Sequence, residues 1–222
     1  MSKIDKLIAE MCPKGVDYKT IADVGRLIRG NGLQKKDFTD SGVGCIHYGQ
    51  IYTHYGTSAT LTKTFVAPAL AARLRKAKPG DLVIATTSEN DVDVCKAVAW
   101  IGESDIAVSG DAYVYSHTLN PMYVSYFFQT EYFQSQKKKY ISGTKVKRVS
   151  GHDLGRIRIP VPPLEIQQEI VRILDNFSKL EAELEAELEA ELEAELEAEL
   201  ESRKRQYDFY RNQLLSFGGS KF

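Results

Sequence analysis

Apolar residues switch between helical and strand-like spacing along the first 160 residues. Ile4, Leu7, Ile8 and Met11 recur on one helix face, which predicts a short amphipathic helix. Later runs rich in β-branched and aromatic residues, bounded by turn residues, predict strands. These predicted strands cover residues 44–52, 81–87, 94–101, 106–115 and 156–161. The mixture predicts an α/β domain over residues 1–160.

Prolines mark where further helices begin. Pro68 sits in the first turn of a predicted helix over residues 68–76. Asn120 is the predicted N-cap of another helix, which runs from Pro121 through the aromatic stretch MYVSYFFQTEYF. Pro160, Pro162 and Pro163 form a stiff junction after the α/β domain.

The last quarter of the chain predicts one long helix. No glycine or proline lies between Pro163 and Gly218. Residues 164–216 therefore form a predicted helix about 80 Å long, at 1.5 Å per residue. The predicted organisation is an α/β domain (1–160), a long helical segment (161–217) and a disordered tail (218–222).

A tandem repeat occupies the middle of this helix. The tetrapeptide LEAE occurs five times from Leu180 and is followed by LE, so a leucine recurs every four residues up to Leu200. Four residues turn a helix by about 400°, so each leucine lies about 40° further round than the last. This drift excludes a fixed heptad seam and favours a spacer whose length matters more than its face. An inert solvated helix and an engineered repeat remain alternatives.

Apolar stripes flank the repeat on both sides. An isolated helix would leave these residues in water, so they predict tight helix–helix contact at both ends of the repeat. The predicted pairing residues are Ile166, Ile170, Ile173, Leu174 and Phe177 before the repeat, and Tyr207, Tyr210, Leu214 and Phe217 after it.

The repeat also conceals a basic protein. The whole chain carries a net charge of −1, but residues 178–201 hold eleven glutamates and one lysine. The other residues therefore hold 28 basic and 19 acidic side chains, a net charge of +9. A basic balance favours polyanionic partners such as nucleic acid.

Several function classes are excluded by what the sequence lacks. Cys12, Cys45 and Cys95 are far apart and form no C-x-x-C, so a reducing cytoplasm is expected and a disulfide framework is not. No apolar run is long enough to span a membrane, and the N-terminal residues MSKIDKLIAEM do not resemble a secretory signal. A DNA-adenine methyltransferase would carry an Asn/Asp-Pro-Pro-aromatic tetrapeptide and a glycine-rich cofactor loop. Here the two prolines of PVPPLE precede leucine, and no such glycine-rich loop is present in the sequence. We expect no catalytic residue, metal site or bound cofactor.

Residues suited to DNA cluster in four predicted loops. Lysine, arginine, hydroxyl and backbone N–H groups bind phosphates, whereas amides and guanidinium groups read base edges. For the same reason, phosphate binding is also predicted for the stretch Lys137, Lys138, Lys139 and Tyr140. The predicted DNA-binding residues are Arg29, Asn31, Gln34, Lys35, Lys36, His54, Tyr55, Lys63, Ser88, Asn90, Thr144, Lys145, Lys147 and Arg148.

Strings spread over nearly the whole chain resemble one known family. They are MCPKGVDYKTIADVGRLIRGNGLQKKDF, HYGQIYTHYG, KPGDLVIATTSEN, SGDAYVYSH, NPMYVSYFFQT, SGTKVKRVS, IPVPPLEIQQEIVRILDNF and YDFYRNQLLSF. In this order and spacing, the chain resembles the DNA-specificity (S) subunits of type I restriction–modification systems. Each string alone is weak, and the specificity comes from their combination.

The resemblance implies a non-catalytic subunit in which two target-recognition domains each read half of a split DNA sequence. It implies that two antiparallel helices space those domains and that tetrapeptide repeats act as a ruler. The implied partners are methyltransferase subunits, which use S-adenosylmethionine, and motor-endonuclease subunits, which use ATP and Mg²⁺. This chain has one domain and one helix, so we expect a half-subunit, natural or truncated, that forms a homodimer on inverted half-sites. A helical scaffold that binds protein is the alternative, and a nuclease or methyltransferase is a third.

Overall fold

The computed structural model describes residues 2–216, which fall into two compact units. The first unit extends through Val171 and, among the described residues, contains all the β-structure together with the start of the last helix. The second begins at Arg172 and consists, within the described part, of the remainder of that helix. The expected boundary at residue 160 stays a prediction.

Eight α-helices are assigned within residues 2–216. They are α1 Lys3–Met11, α2 Ile21–Val24, α3 Tyr48–Thr53, α4 Pro68–Ala71, α5 Pro121–Phe127, α6 Glu131–Lys138, α7 Gly151–Gly155 and α8 Leu164–Leu215. A short 3-10 helix covers Lys35–Asp37. Several of these α-helices have an N-terminus that is capped by a side chain. Ser2 and Asp5 form a reciprocal capping box at α1, and the Asn120 side chain accepts from the Tyr123 N–H at α5.

Within residues 2–216, the strands form two five-stranded sheets and two short ribbons. Their bounds are β1 Tyr18–Thr20, β2 Gly25–Arg29, β3 Phe38–Thr39, β4 Val43–Ile46, β5 Ser58–Ala59, β6 Thr64–Val66, β7 Lys76–Ala77, β8 Leu82–Ala85, β9 Thr87–Ser88, β10 Ala97–Trp100, β11 Ile106–Val108, β12 Ala112–His117, β13 Lys147–Arg148 and β14 Arg158–Pro160. The first sheet has the order β2-β12-β8-β10-β5 and the second β3-β6-β4-β11-β7. The pairs β10–β5 and β11–β4 are parallel.

The central strand β8 is buried on both faces, which explains its uninterrupted apolar sequence. Leu82 and Ile84 pack in a core with the helical aromatic residues Phe127 and Phe133. Val83 and Ala85 belong to a second core, which includes Ile46, Ile106 and Val108 of the other sheet. Sheet one is therefore sandwiched between a helical layer and sheet two.

Four predicted elements differ from those observed. The run 44–52 is a strand only to Ile46 and then turns into α3, while 106–115 divides between β11 and β12, which lie in different sheets. The predicted helix 68–76 ends at Ala71. The helix that starts at Pro121 stops at Phe127, because the Thr130 side chain caps a new helix by accepting from the Phe133 N–H.

The long helix is confirmed. Helix α8 covers Leu164–Leu215, against a predicted 164–216. The six repeat leucines are each 53–67% exposed. No helix in the described part of the chain is long and apolar enough to cross a membrane.

Candidate nucleic-acid interface

A cavity of about 530 Å³ lies where α3, the loop after β9 and the 3-10 helix meet. We call it the central cavity. It combines aromatic walls with amide, hydroxyl, basic and acidic groups, a chemistry suited to base edges. Its lining residues are Lys35, Phe38, His47, Tyr48, Gly49, Gln50, Tyr52, Thr53, Thr87, Ser88, Glu89, Asn90, Asp93 and Val146.

His47 occupies this cavity as the N-cap of α3. Its Nδ1 accepts a hydrogen bond from the Gly49 N–H (3.3 Å), so the neutral ring carries its hydrogen on Nε2. Burial, followed by the charge of Lys35, lowers the pKa of His47, against the opposing effect of Asp111. The imidazole is therefore neutral near pH 7. Nε2 has no hydrogen-bond partner among the described residues, which leaves it free to donate to a ligand.

Further contacts fix the His47 ring and the helix that follows it. Phe38 meets the ring edge-on at 5.9 Å between centroids, and Tyr48 lies 4.6 Å from it. The Gln50 Oε1 accepts from the His47 N–H (2.9 Å). The Tyr52 hydroxyl donates to the Thr87 carbonyl (2.8 Å), which ties α3 to β9. The cavity wall is thus preorganised.

A basic hairpin borders the central cavity. We use this name for residues 142–148, in which the backbones of Ser142 and Arg148 exchange two hydrogen bonds. Gly143 has φ +90°, and a Cβ there would collide with the Val146 carbonyl, so the turn requires glycine. Strand β13 of the hairpin pairs with β9, and Lys147 lies opposite Ser88. This pairing joins two sequence regions that are about 60 residues apart.

The hairpin's side chains are not equally free. Thr144, Lys145 and Arg148 are exposed. Lys147 is only 26% exposed, and its Nζ lies 3.4 Å from the Asp91 carboxylate. Two of the three predicted basic phosphate ligands therefore have no salt bridge among the described residues.

A second, shallower hollow of about 360 Å³ is lined by Arg29 and Gln34, with Gly110 and Asp111 opposite. The Arg29 Nε donates to the Gly110 carbonyl (2.8 Å), and its Nη2 lies 3.4 Å from Asp111. Gln34 and Lys36 are exposed. The chain segment from Arg29 to Lys35 borders both this hollow and the central cavity.

Both predicted asparagine base readers are engaged within the protein. The Asn31 amide donates to the Arg73 carbonyl (3.2 Å) and accepts from the Arg75 N–H (2.6 Å). Asn90 donates to Asp93 Oδ2 and accepts from the Asp93 N–H. Reading a base edge would require either amide to exchange these bonds, so both are better placed as loop supports.

The predicted group His54, Tyr55 and Lys63 lies just beyond the C-terminal end of α3. Tyr55 is 6% exposed, and its hydroxyl accepts from the Lys63 N–H (2.8 Å). His54 packs edge-on against the Tyr55 ring and is itself exposed, as is Lys63. Tyr55 is thus a scaffold for its two neighbours rather than a free reader.

Lys137 was wrongly predicted to bind phosphate. Its side chain is fully buried, and Nζ donates to the carbonyls of Val92 and Val94, each at 2.8 Å. Burial lowers the pKa of this amine, against the attraction of Cys95 and nearby carboxylates. The residue anchors the loop that carries Asp93 into the central cavity.

The apolar stripes of α8 are only partly available. Ile166 is 1% exposed, and Ile170 packs against the core of the first unit, so the prediction that Ile166 contacts a second chain is wrong. Ile173 and Leu174 are partly buried. Phe177, Tyr207, Tyr210 and Leu214 are 58–70% exposed. Phe217 and the predicted tail lie outside the described residues.

Sequence reasoning missed the centre of the site. His47, Tyr48 and Tyr52 were expected in a strand, and nothing in the local pattern marked them as a cavity wall. The one available signal was a histidine directly after a buried apolar run, in a position able to cap a helix. A larger hollow, of about 880 Å³, is lined by residues such as Leu61 and Trp100 and includes none of the predicted DNA-binding residues. In residues 2–216, no group of three acidic, histidine or cysteine side chains is arranged to hold a metal ion.

The fold thus places a mixed basic and polar cavity beside a basic hairpin, a chemistry suited to DNA. The family model described as "Type I restriction modification DNA specificity domain" matches residues 13–194. The chain therefore belongs to the family of type I restriction–modification specificity subunits.

Individual relatives agree with this assignment. The chain is 45% identical over 104 residues to a putative type I specificity subunit of Mycoplasma pneumoniae, a match that covers 46% of this chain and 30% of the relative. It is 62% identical over 58 residues to the EcoprrI specificity subunit of Escherichia coli, covering 26% of this chain and 12% of that subunit. The matches thus cover less than a third of the length of these relatives.

Two solved structures share the fold. One, from a study of assembly and conformational transition of the type I R-M system, has a TM-score of 0.59 at 21% identity and covers 86% of this chain and 47% of that one. The HsdS subunit of Thermoanaerobacter tengcongensis has a TM-score of 0.55 at 19% identity, covering 82% of this chain and 44% of its own.

Proposed function

We propose that this chain reads one half-site of a split DNA target for a type I restriction–modification complex. The observation that carries the proposal is the pairing of β13 with β9, which sets the basic hairpin beside the central cavity. Phosphate-binding groups and base-reading groups then meet the same stretch of duplex. Phosphate contacts fix the register of a protein on DNA, and base contacts supply the specificity.

The contacts divide by chemistry. Lys145 and Arg148, with Thr144, are exposed on the hairpin and take phosphates. Lys35, Lys36 and Lys63 extend the basic surface on neighbouring segments. Base reading falls to groups with unused hydrogen-bonding capacity, chiefly His47 and Gln34, with Ser88 at the rim.

Function in the complex requires two half-sites. Two copies of the chain pair antiparallel through α8, and two identical domains then read inverted half-sites. The exposed apolar side chains at Phe177 and at Tyr207–Leu214 support this arrangement, because an unpaired α8 would leave them in water.

The chemistry belongs to partner subunits in the cytoplasm. Methyltransferase subunits supply S-adenosylmethionine, and motor-endonuclease subunits use ATP and Mg²⁺. This chain contributes no catalytic residue and binds no cofactor. The relatives' assignment as specificity subunits supports this division.

A methylation census tests the proposal. The genome is sequenced for modified adenine with this gene present and absent, alongside its methyltransferase. We expect one bipartite inverted motif that disappears with the gene. An unchanged set of motifs, together with DNA binding that does not respond to salt, would instead favour a protein-binding scaffold. Labelled methyl transfer by the purified chain alone would contradict the non-catalytic role.

A further inference from the structure

The exposed face of α8 contains enough information to fix how two copies align. This inference rests on the homodimer proposed above and concerns its register. Six leucines from Leu180 to Leu200 are four residues apart, and all are more than half exposed. In an antiparallel pair with two-fold symmetry, residue i of one helix lies opposite residue j of the other, and i + j is constant.

The leucines alone do not choose the register. Because they repeat every four residues, several alignments place leucine opposite leucine. The symmetry axis passes Leu188, Ala190 or Leu192 in the three most central alignments, and Ala194 in the next one. Only the residues that flank the repeat can distinguish these alternatives.

An axis at Leu192 pairs the flanks favourably. Leu174 falls opposite Tyr210 of the second copy, and both lie five full turns from Leu192, at about the same azimuth. Phe177 falls opposite Tyr207 of the second copy, each about 60° from the centre of the face. The exposed side chains of Phe177, Tyr207 and Tyr210 and the partly buried side chain of Leu174 thus meet at both ends of the repeat.

Charge supports the same alignment. With the axis at Leu192, Glu181 lies opposite Arg203 of the second copy, each within about 20° of the centre of the face. Arg203 now pairs with Glu199 of its own helix at 3.1 Å. Both side chains of that pair are more than half exposed, so exchanging the partner costs little. One like-charged pair, Glu185 with Glu199, remains near the face.

The neighbouring alignments are worse. An axis at Ala190 sets Phe177 against Arg203 and Glu181 against Glu199. An axis at Ala194 sets Phe177 against Arg211 and Glu181 against Tyr207. An axis at Leu188 sets Phe177 against Glu199 and Glu181 against Glu195. All three alternatives forfeit both the aromatic pairing of Phe177 with Tyr207 and the opposite-charge pairing of Glu181 with Arg203.

We propose that a second copy of this chain pairs antiparallel along α8 with Leu192 on the two-fold axis. Contact is concentrated around Leu188, Leu192 and Leu196, because the leucine row drifts by about 40° per repeat and leaves the face on either side. Helix–helix contact resumes at Leu174 and Tyr210, which lie five full turns from Leu192 and therefore on the same side of the helix.

Disulfide cross-linking reads the register directly. The variants are made in a Cys12→Ser background, because Cys12 is partly exposed whereas Cys45 and Cys95 are buried. Under a mild oxidant, Leu192→Cys alone should form a covalent dimer. Leu188→Cys or Leu196→Cys alone should not, because their two copies lie about 12 Å apart along the axis. A mixture of the Leu188→Cys and Leu196→Cys chains should cross-link.

Each competing outcome has its own pattern. Cross-linking of the Leu188→Cys and Leu192→Cys mixture, without self-linking of Leu192→Cys, would move the axis to Ala190 and overturn the proposal. Cross-linking of a mixture of the Leu192→Cys and Leu196→Cys chains, again without self-linking of Leu192→Cys, would show that the axis lies at Ala194 and would also overturn the proposal. A dimer in sedimentation equilibrium that cross-links in none of these samples also overturns the register. A monomer at micromolar concentration contradicts the homodimer itself, and so the function proposed above.

A charge-reversal cycle provides the second arm. Glu181→Arg and Arg203→Glu should each raise the dimer Kd by about tenfold, and the double variant should recover most of the loss. Glu187→Arg is the matched control, because Glu187 lies about 140° from the face. Equal effects of Glu181→Arg and Glu187→Arg would contradict the pairing.

Discussion

At the scale of single residues, the most informative side chain is His47. Its neutral ring, with Nδ1 used by the Gly49 N–H, leaves Nε2–H as a fixed donor in the central cavity. Base edges in the major groove present acceptors such as purine N7 and thymine O4. A fixed donor discriminates among these positions because the wrong edge leaves it unpaired.

Replacing His47 with phenylalanine should therefore relax the DNA target at one position. We expect a cost of about 1–3 kcal/mol in binding the original target, with little change in binding to unrelated DNA. The measurement is the methylated-motif census, together with binding to the original and substituted duplexes. His152→Phe is the control, since His152 is exposed on α7, outside the cavity. An unchanged motif in the His47 variant would remove this residue from recognition.

Lys137, in contrast, is a basic residue whose role is structural, because its buried amine bonds to backbone carbonyls. Replacing it with methionine keeps the length and leaves the carbonyls of Val92 and Val94 without their donor. We expect a loss of about 2–6 kcal/mol in the free energy of unfolding, at about 1–3 kcal/mol for each of the two unsatisfied carbonyls. Urea unfolding measures it. Lys138→Met, at the exposed neighbouring position, should cost little; equal losses would refute the anchoring role.

At the scale of elements, the basic hairpin makes a quantitative prediction. Replacing Lys145, Lys147 and Arg148 together with alanine should weaken DNA binding and flatten its salt dependence. Two or three lost phosphate contacts lower the log–log slope by about 1.8 to 2.7, at about 0.9 each. The lower figure applies if the Lys147 pair with Asp91 persists on DNA.

The control removes the same charge elsewhere. Lys6, Lys14 and Lys19 are exposed and lie outside both hollows. Their triple alanine variant should leave the slope nearly intact. A slope that stays constant in the hairpin variant would place the hairpin off the DNA.

Elements were predictable where local chemistry alone decides them. Helix α8 follows from 52 consecutive residues without glycine or proline, and its bounds were found within one residue. The break between α5 and α6 was missed because the capping hydroxyl of Thr130 interrupts an otherwise helical pattern. The division of 106–115 was not predicted, because residues Ser109–Asp111 take the chain from one sheet to the other. Which sheet a strand joins is set by tertiary packing and not by the local sequence.

At the scale of the whole molecule, the site depends on contacts that no linear pattern reveals. The predicted basic and polar loops do converge in part, since β13 meets β9 and the segment from Arg29 to Lys35 borders both hollows. Composition cannot distinguish an exposed lysine such as Lys145 from a buried one such as Lys137, because burial is set by packing. The same limit applies to Asn31 and Asn90, whose amides serve the fold.

The number of repeats should set the spacer of the DNA target and leave its half-sites unchanged. One LEAE unit lengthens the paired helices by about 6 Å and rotates the far end by about 40°. One base pair advances about 3.4 Å and turns about 34–36°. The rotations nearly match, and DNA bending absorbs the remaining 2.6 Å or so at modest cost. We expect a shift of one base pair, or at most two, per unit, with some loss of affinity.

The test is a motif census for chains with four, five and six repeats. An identical spacer in all three would mean that the helix is not the ruler. A changed half-site would mean that recognition lies outside the α/β domain.

The tight turn of the basic hairpin should also allow DNA binding to be followed by limited proteolysis. Lys145 stands exposed in a short loop whose two arms are held together by backbone hydrogen bonds and by β9. Loop tips of this kind are preferred sites of proteolytic nicking. Trypsin should cut after Lys145 in the free protein, and the nicked arms remain paired. DNA seated on the hairpin would shield that bond, so the rate of cleavage after Lys145 falls as the fraction of DNA-bound protein rises.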